Sequence, residues 1–428
     1  MISNKSKSIK KSIIKTVSSS SKTSSSLKKT KKNSRKNSRK TKKKSNVLVD
    51  ILYNSKNPNE IVDKLRNFYK THIDNEKFLK YEKEFIPFDK SAQGKSGSIV
   101  GYLKNKPDSV LKVHYLKINL NKLIYYDGCV KLSNKFNEIF MNIIFKNIKY
   151  LPNFTSKEVK EVKNHILEIE DFGFGNNSFY TIAPLVGINY KDEAHKNHFI
   201  TNFRDIINLN HIPFLKKALN ENNTEILKLY DEFIAQDLFS LFNVFKILQK
   251  NLNYINADAK LENIFIKSKK NIKSKFNKLR EYGIQIDYVL LLSDLEKSRI
   301  NIENLKFLTY DNYNFIPNFI VKFIVKFMGY QMIRSFRHSC NLKMTKICPK
   351  LILNDFDILY LIIDLYTRLI SIDENFLNNT PKITELYKQF LSIKDTDYNK
   401  LIKILIKGKY NLNTKISRKI SKIITKIC

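Results

Sequence analysis

Apolar residues recur three and four apart over residues 47–81, broken by Asn and Pro near 57–59. That spacing predicts short helices. From 84 to 114 the rhythm shortens to β-rich runs separated by Gly and Ser, which predicts strands. Helical spacing returns over 136–148 (FNEIFMNIIFKNI), and 118–133 reads as an inserted connection. Residues 165–175 and 179–187 read as two strands and a short linker, 188–225 as a polar helical insertion, and 226–250 as a long helix. Ile264, Phe265 and Ile266 predict a short buried strand. A Lys-rich loop over 268–283 leads to a second buried strand within 288–300, ending in Asp294. Helical patterns follow at 354–369 and 382–428, and no internal repeat emerges.

Three polar residues interrupt the apolar run at 254–267, YINADAKLENIFIK: Asp258, Lys260 and Asn263. The pattern places them on a loop between a helix and a strand. Such a loop could supply a carboxylate to take a proton, an ammonium to neutralise a phosphate and an amide to hold a metal. A solvated turn is the plainer reading of the same residues. Upstream, residues 91–101 read SAQGKSGSIVG. Gly94-Lys95-Ser96 resembles a P-loop, but Asp89 stands where that motif requires its first Gly. Glycines at 94 and 97 would let backbone approach phosphates closely. Lys112 then falls inside an apolar strand, SVLKV, where a lysine is costly unless paired. The first Glu after it is Glu138, on the 136–148 helix.

Composition adds a basic balance. The formal net charge is +37, with 77 Lys and Arg against 40 Asp and Glu. Such an excess suggests an anionic partner, although the Lys, Asn and Ile skew also fits an AT-rich genome. Residues 1–46 carry seventeen Lys and Arg, Ser runs and no acidic residue. This segment cannot bury enough apolar surface to fold alone. It reads as a disordered tail suited to polyanion or nucleic-acid contact, or simply as a solvated one. The four cysteines are far apart and form no CxxC pair, which predicts free thiols and an intracellular setting, cytoplasmic or nuclear. The most apolar stretch, 315–332, is broken by Pro317, Lys322 and Lys326. It predicts an amphipathic core helix rather than a membrane segment.

The order of these pieces resembles the protein kinase superfamily over roughly 84–369: Gly-rich loop, strand Lys, helix Glu, Asp-x-Lys-x-x-Asn, then a strand-end Asp. The resemblance implies an α+β, two-lobed fold with a small β-rich N-lobe and a mostly helical C-lobe. Its boundaries would be a basic tail at 1–46, a helical extension at 47–83, the N-lobe and hinge at 84–187, and the C-lobe with insertions at 188–428. It also implies ATP and Mg2+. Gly94, Gly97 and Ile99 would cover the phosphates. Lys112 would contact the α and β phosphates and pair with Glu138. Backbone groups of Ala183 to Leu185 would bond an adenine edge. Asp258 would accept the substrate's proton, Lys260 would stabilise the γ-phosphate, and Asn263 with Asp294 would hold magnesium. Asp357 would bond the backbone of the catalytic loop, unless it is a plain first-turn acid.

Asp171-Phe172-Gly173 has the letters of the family's metal motif, but it precedes the catalytic loop and reads as part of a strand. Asp294 has the right position, followed by Leu295 and Glu296 instead of Phe and Gly. Ala92 replaces the first loop Gly, Ala257 the usual Arg and Asn256 the usual His, and no Ala-Pro-Glu follows. These departures resemble divergent branches, among them kinases of large DNA viruses and small-molecule or lipopolysaccharide-type kinases. Three functions follow from the resemblance. A serine/threonine kinase acting on a protein substrate is favoured. A small-molecule or lipid kinase is the second, and a pseudokinase scaffold binding through its tail is the third.

Overall fold

The computed structural model describes residues 47, 51–52, 54–55, 57–88, 98–115, 120, 124–126, 129–132, 134–175, 178–191, 197–256, 258–269, 274–296, 298, 300–302, 305–309, 356–369, 372 and 381–390. The basic tail, Gly94, Gly97, Ala257, the 315–332 stretch and residues 391–428 lie outside them.

In chain order the elements are α1 (Pro58–Lys70), α2 (Asn75–Glu84), β1 (Phe85–Pro87), β2 (Ser98–Leu103), β3 (Lys106–Tyr115), β4 (Ile124–Tyr126), β5 (Cys129–Leu132), α3 (Asn134–Lys146) and α4 (Ser156–Asn164). Then come β6 (Asp171–Gly175), β7 (Ser178–Pro184), β8 (Ile188–Lys191), β9 (Asn197–Ile200), α5 (Phe203–Ile206), a π turn at Ile207–His211, α6 (Ile212–Asn220) and α7 (Thr224–Leu252). The last are β10 (Ile264–Ser268), α8 (Asn277–Glu281), β11 (Tyr288–Leu292), β12 (Ile300–Ile302), β13 (Leu305–Thr309), α9 (Phe356–Leu369) and α10 (Pro381–Phe390). The chain is α+β and divides into two compact units. Described residues within 1–54, 67–118 and 169–185 form the first, and those within 55–66, 119–168 and 186–428 the second. The boundary read at 187 differs from this division, because 119–168, with α3, groups with the second unit.

The first unit is an antiparallel sheet of order β1-β2-β3-β7-β6. Alternation along β3 buries Leu111 and Val113, which pack with Leu103, Phe78, Tyr180 and Ile182. Each such side chain contributes roughly 1.5–3 kcal/mol by leaving water. Asp74 caps α2 by accepting the Lys77 N–H. Gly101 is required where β2 runs beside β1, because a Cβ there would strike the Ile86 carbonyl.

In the second unit α7 is a 29-residue helix capped by Asn223 and ended by Asn253 in the left-handed conformation. Beyond it, β10 and β11 pair antiparallel. Residues 188–225 are not uniformly helical. They open with the β8–β9 hairpin, in which Ile188 and Tyr190 are buried while Asn189 is exposed. That two-residue period fits a strand and not a helix. The inserted connection before α3 forms β4 and β5, and β5 pairs parallel with β13 in a sheet of order β12-β13-β5-β4. Among the described residues no helix is long and apolar enough to cross a membrane.

Asp231 on α7 is buried and accepts the N–H groups of Lys382 and Ile383 at the start of α10, at 2.7 and 3.0 Å. Desolvation outweighs those two bonds and pushes its carboxyl from 3.8 up to about 6. A raised carboxyl favours the protonated fold, so its contribution is full below pH 3.8 and is lost as pH rises through about 6. The corresponding difference is on the order of 2–3 kcal/mol. Asp231→Asn is therefore expected to gain stability relative to wild type between pH 4 and 7. Denaturant midpoints across that range check the sign.

Candidate catalytic loop and metal-binding carboxylate

The polar residues of the 254–267 stretch lie between the end of α7 and the start of β10, and the fold fixes that loop from several sides. Asn256 N–H donates to Asp357 Oδ2 at 2.7 Å, and Leu261 N–H donates to Asp364 Oδ2 at 2.9 Å. Both carboxylates come from α9, seven residues apart and thus on one helical face. Asp357 is therefore an acceptor for the loop backbone. Asp357→Ala would leave a buried N–H without this acceptor, at about 1–3 kcal/mol. A lower urea midpoint is expected, and an unchanged one would show the bond to be dispensable. On the other side of the loop, Ile266 N–H donates to the Thr201 carbonyl at 2.9 Å, tying β10 to the segment before α5.

Within the loop, Asp258 N–H donates to Asn256 Oδ1 at 3.0 Å. The Asp258 carbonyl accepts from Lys260 N–H at 2.8 Å and from Asn263 Nδ2 at 2.9 Å. The second bond commits the Asn263 amide nitrogen to Asp258, which leaves Oδ1 as the atom that could meet a metal. Asp258 and Asn263 are both buried residues, each 8% exposed. Lys260 Nζ stands 3.9 Å from Asp258 Oδ2 and pairs with Glu262. Burial alone would lower the Lys260 ammonium. The carboxylates of Asp258, Glu262 and Asp294 outweigh it and hold the group above its ordinary value. Lys260 is thus charged at neutral pH.

Asp294 lies two residues past β11. Ser293 donates to the Asn263 carbonyl through Oγ at 2.7 Å and through N–H at 3.3 Å. The Asn263 and Asp294 side chains are thereby carried by adjacent ends of one hairpin. On its other edge, β11 is held by Leu292 N–H to the His165 carbonyl and Leu167 N–H to the Leu292 carbonyl. One carboxylate and one amide oxygen fit the donor chemistry of magnesium, which takes one or two protein oxygens and completes its shell with phosphate and water. Among the described residues there is no group of three His, Cys, Asp or Glu that would instead make an all-protein site.

Asp171 lies elsewhere, on the edge strand β6 of the first unit. Its carboxylate pairs with Lys77 Nζ at 2.7 Å. Gly173 sits against Tyr180, and a Cβ there would come within 2.5 Å of the tyrosine oxygen. The Phe172 ring stacks on His72 at 5.8 Å. Each letter of Asp171-Phe172-Gly173 thus has a packing reason inside the sheet.

Lys112 lies in mid β3, half-buried, opposite Val100 on β2 and Thr181 on β7. Ile99 is on β2 opposite Val113. Glu138 is buried on α3 in the second unit, while Lys112 belongs to the first. Ala183 lies at the end of β7 opposite Val110. The Leu185 N–H donates to the Asp108 carbonyl at 2.7 Å. The amide expected to meet an adenine edge is therefore already engaged in the β3–β7 ladder, and binding through it would require an exchange of partners.

Four further residues position this loop and hairpin without a motif that marks them in the sequence: Glu262, Asp364, Ser293 and Asn137. Glu262 lies inside the quoted loop, and its two cationic partners, Lys260 and Arg204, were the missing signal. Asp364 repeats Asp357 at helical spacing. Ser293 and Asn137 act through bonds to distant backbone, for which the sequence carries no local signal. No protein-family model matches the chain, and no curated protein is significantly similar to it.

Proposed function

We propose that the chain is a magnesium-dependent ATP phosphotransferase with a two-lobed, protein-kinase-like fold, acting on serine or threonine hydroxyls of a protein substrate. The observation that carries this reading is the convergence on one loop and one hairpin of Asp258, a charged Lys260, Asn263 and Asp294. A proton acceptor, a cation for a transferring phosphate and two oxygen donors for a hard metal are the parts that phosphoryl transfer needs.

Magnesium held by Asn263 and Asp294 would neutralise charge on the ATP phosphates. Asp258 would orient the substrate hydroxyl and take its proton as the oxygen bonds to the γ-phosphorus and the bond to ADP breaks. Lys260, kept charged by its three carboxylate neighbours, would stabilise the transferring group. The bonds from Asp357 and Asp364 hold the loop before substrate arrives, so little reorganisation remains for the reacting step.

By the resemblance, Lys112 serves the α and β phosphates. Lys112→Ala is expected to abolish transfer and leave the thermal midpoint nearly unchanged, because a half-buried lysine adds little to the core. Transfer by the variant equal to wild type would sink that role.

The acceptor class is tested by incubating the full chain with γ-labelled ATP and magnesium. Acidic and basic proteins, lipid and sugar hydroxyls are offered in parallel. Label on protein serine or threonine is expected. Label on lipid or sugar alone would make the chain a small-molecule kinase, and ATP binding without transfer would make it a scaffold.

A further inference from the structure

We infer that Asn137 is a positioning residue that holds Asp294 in its metal-binding conformation, an inference that rests on the phosphotransferase reading. Asn137 lies on α3, one residue before Glu138, and is completely buried. Its Nδ2 donates to the carbonyls of Ser298 at 2.7 Å, Glu296 at 2.9 Å and Leu295 at 3.4 Å. Two amide hydrogens thus serve three carbonyls within the four residues after Asp294. A carboxylate at this position would face the same oxygens with no donor, and an apolar side chain would leave them without one.

Asp294 itself has φ +51°, the left-handed region. A non-glycine residue holds that conformation when its surroundings over-determine it, and here they do so on both sides. Before Asp294, Ser293 is fixed to the Asn263 carbonyl. After it, Leu295, Glu296 and Ser298 are bonded to Asn137, Ser298 N–H closes back on the Leu295 carbonyl at 3.1 Å, and Ser298 Oγ bonds the Tyr254 hydroxyl at 3.0 Å. Leu295 and Ser298 are buried. Leu295-Glu296, the departure from Phe-Gly, therefore sits in a pinned turn. The direction of the Asp294 carboxylate is set by the helix that carries Glu138.

The test is calorimetry of ATP binding to the full chain with magnesium and with a chelator. Wild type should bind more tightly with magnesium. Asn137→Leu should lose about 10–100-fold of that gain, the usual cost of removing a group that orients a metal ligand. Its magnesium-free affinity should stay unchanged. A merely structural Asn137 would shift both affinities together with the thermal midpoint. Asn137→Asp carries the same expectation through charge rather than shape. A full magnesium gain in either folded variant overturns the inference.

Hydrogen exchange on nucleotide-free wild type decides the matter if neither variant folds. The 298 amide, which donates to the Leu295 carbonyl, should be protected, and exchange at the rate of an open peptide would overturn the clamp. If wild type shows no magnesium-dependent binding, the phosphotransferase reading fails and the metal role of Asp294 with it. The exchange result still reports on the clamp by itself.

Discussion

Asp294→Asn should weaken magnesium-dependent ATP binding by roughly 100-fold, and Asp171→Asn should leave it unchanged. The first substitution removes the only negative ligand proposed for the metal, and an uncharged amide is a poor substitute for a carboxylate at a hard cation. The size is set at the upper end of what loss of a metal-orienting group costs. Asp171, by contrast, is committed to Lys77 across a partly exposed pair. Such pairs contribute about 0–1 kcal/mol, so a small drop in thermal midpoint is all that Asp171→Asn should show. Calorimetry on both variants separates letters from position. If Asp171→Asn is the one that loses metal-dependent binding, the assignment of the metal to the β10–β11 hairpin fails.

The second large effect concerns proton transfer. Asp258→Asn is expected to lower the turnover of transfer by about 10²–10⁴-fold while ATP affinity changes little. The amide keeps the size of the side chain but cannot take the hydroxyl proton. The backbone bonds of Asp258 to Asn256, Lys260 and Asn263 should survive, since none uses its carboxylate. Because Lys260 loses a neighbouring anion, its ammonium should also become easier to deprotonate. Steady-state rates and ATP affinity measured on one preparation distinguish a lost base from a misfolded loop. A variant with wild-type turnover would remove Asp258 from the chemistry.

The readable parts of this chain are those where a local pattern has one physical solution. Lys112 announces itself because a charged residue interrupts an alternating apolar strand, and β3 is found there. Asp258, Lys260 and Asn263 stand out for the same reason between α7 and β10. Asp294 is marked by its distance from that loop, although its neighbours Leu295 and Glu296 do not match the letters of the family it resembles.

The parts that escaped depend on contacts between distant segments. β5 and β13 pair in parallel across more than 170 residues of sequence, and neither strand is long enough to declare itself. Residues 188–191 alternate, but over too few positions to outweigh the helical pattern that follows. Asn137 reaches Ser298 through a bond spanning 161 residues, and nothing near it in the sequence marks it apart from the neighbouring Asn142 on the same helix. The engaged Leu185 amide likewise follows from strand register and not from residue type.

The most direct test of the central claim is the fate of the γ-phosphate. The full chain is incubated with γ-labelled ATP, magnesium and protein acceptors beside Asp258→Asn, and the acid-stable label is assigned by phosphoamino-acid analysis. The account predicts phosphoserine or phosphothreonine from wild type and at least a hundredfold less from the variant. Equal labelling by both proteins, or no transfer by wild type to any acceptor, would contradict it.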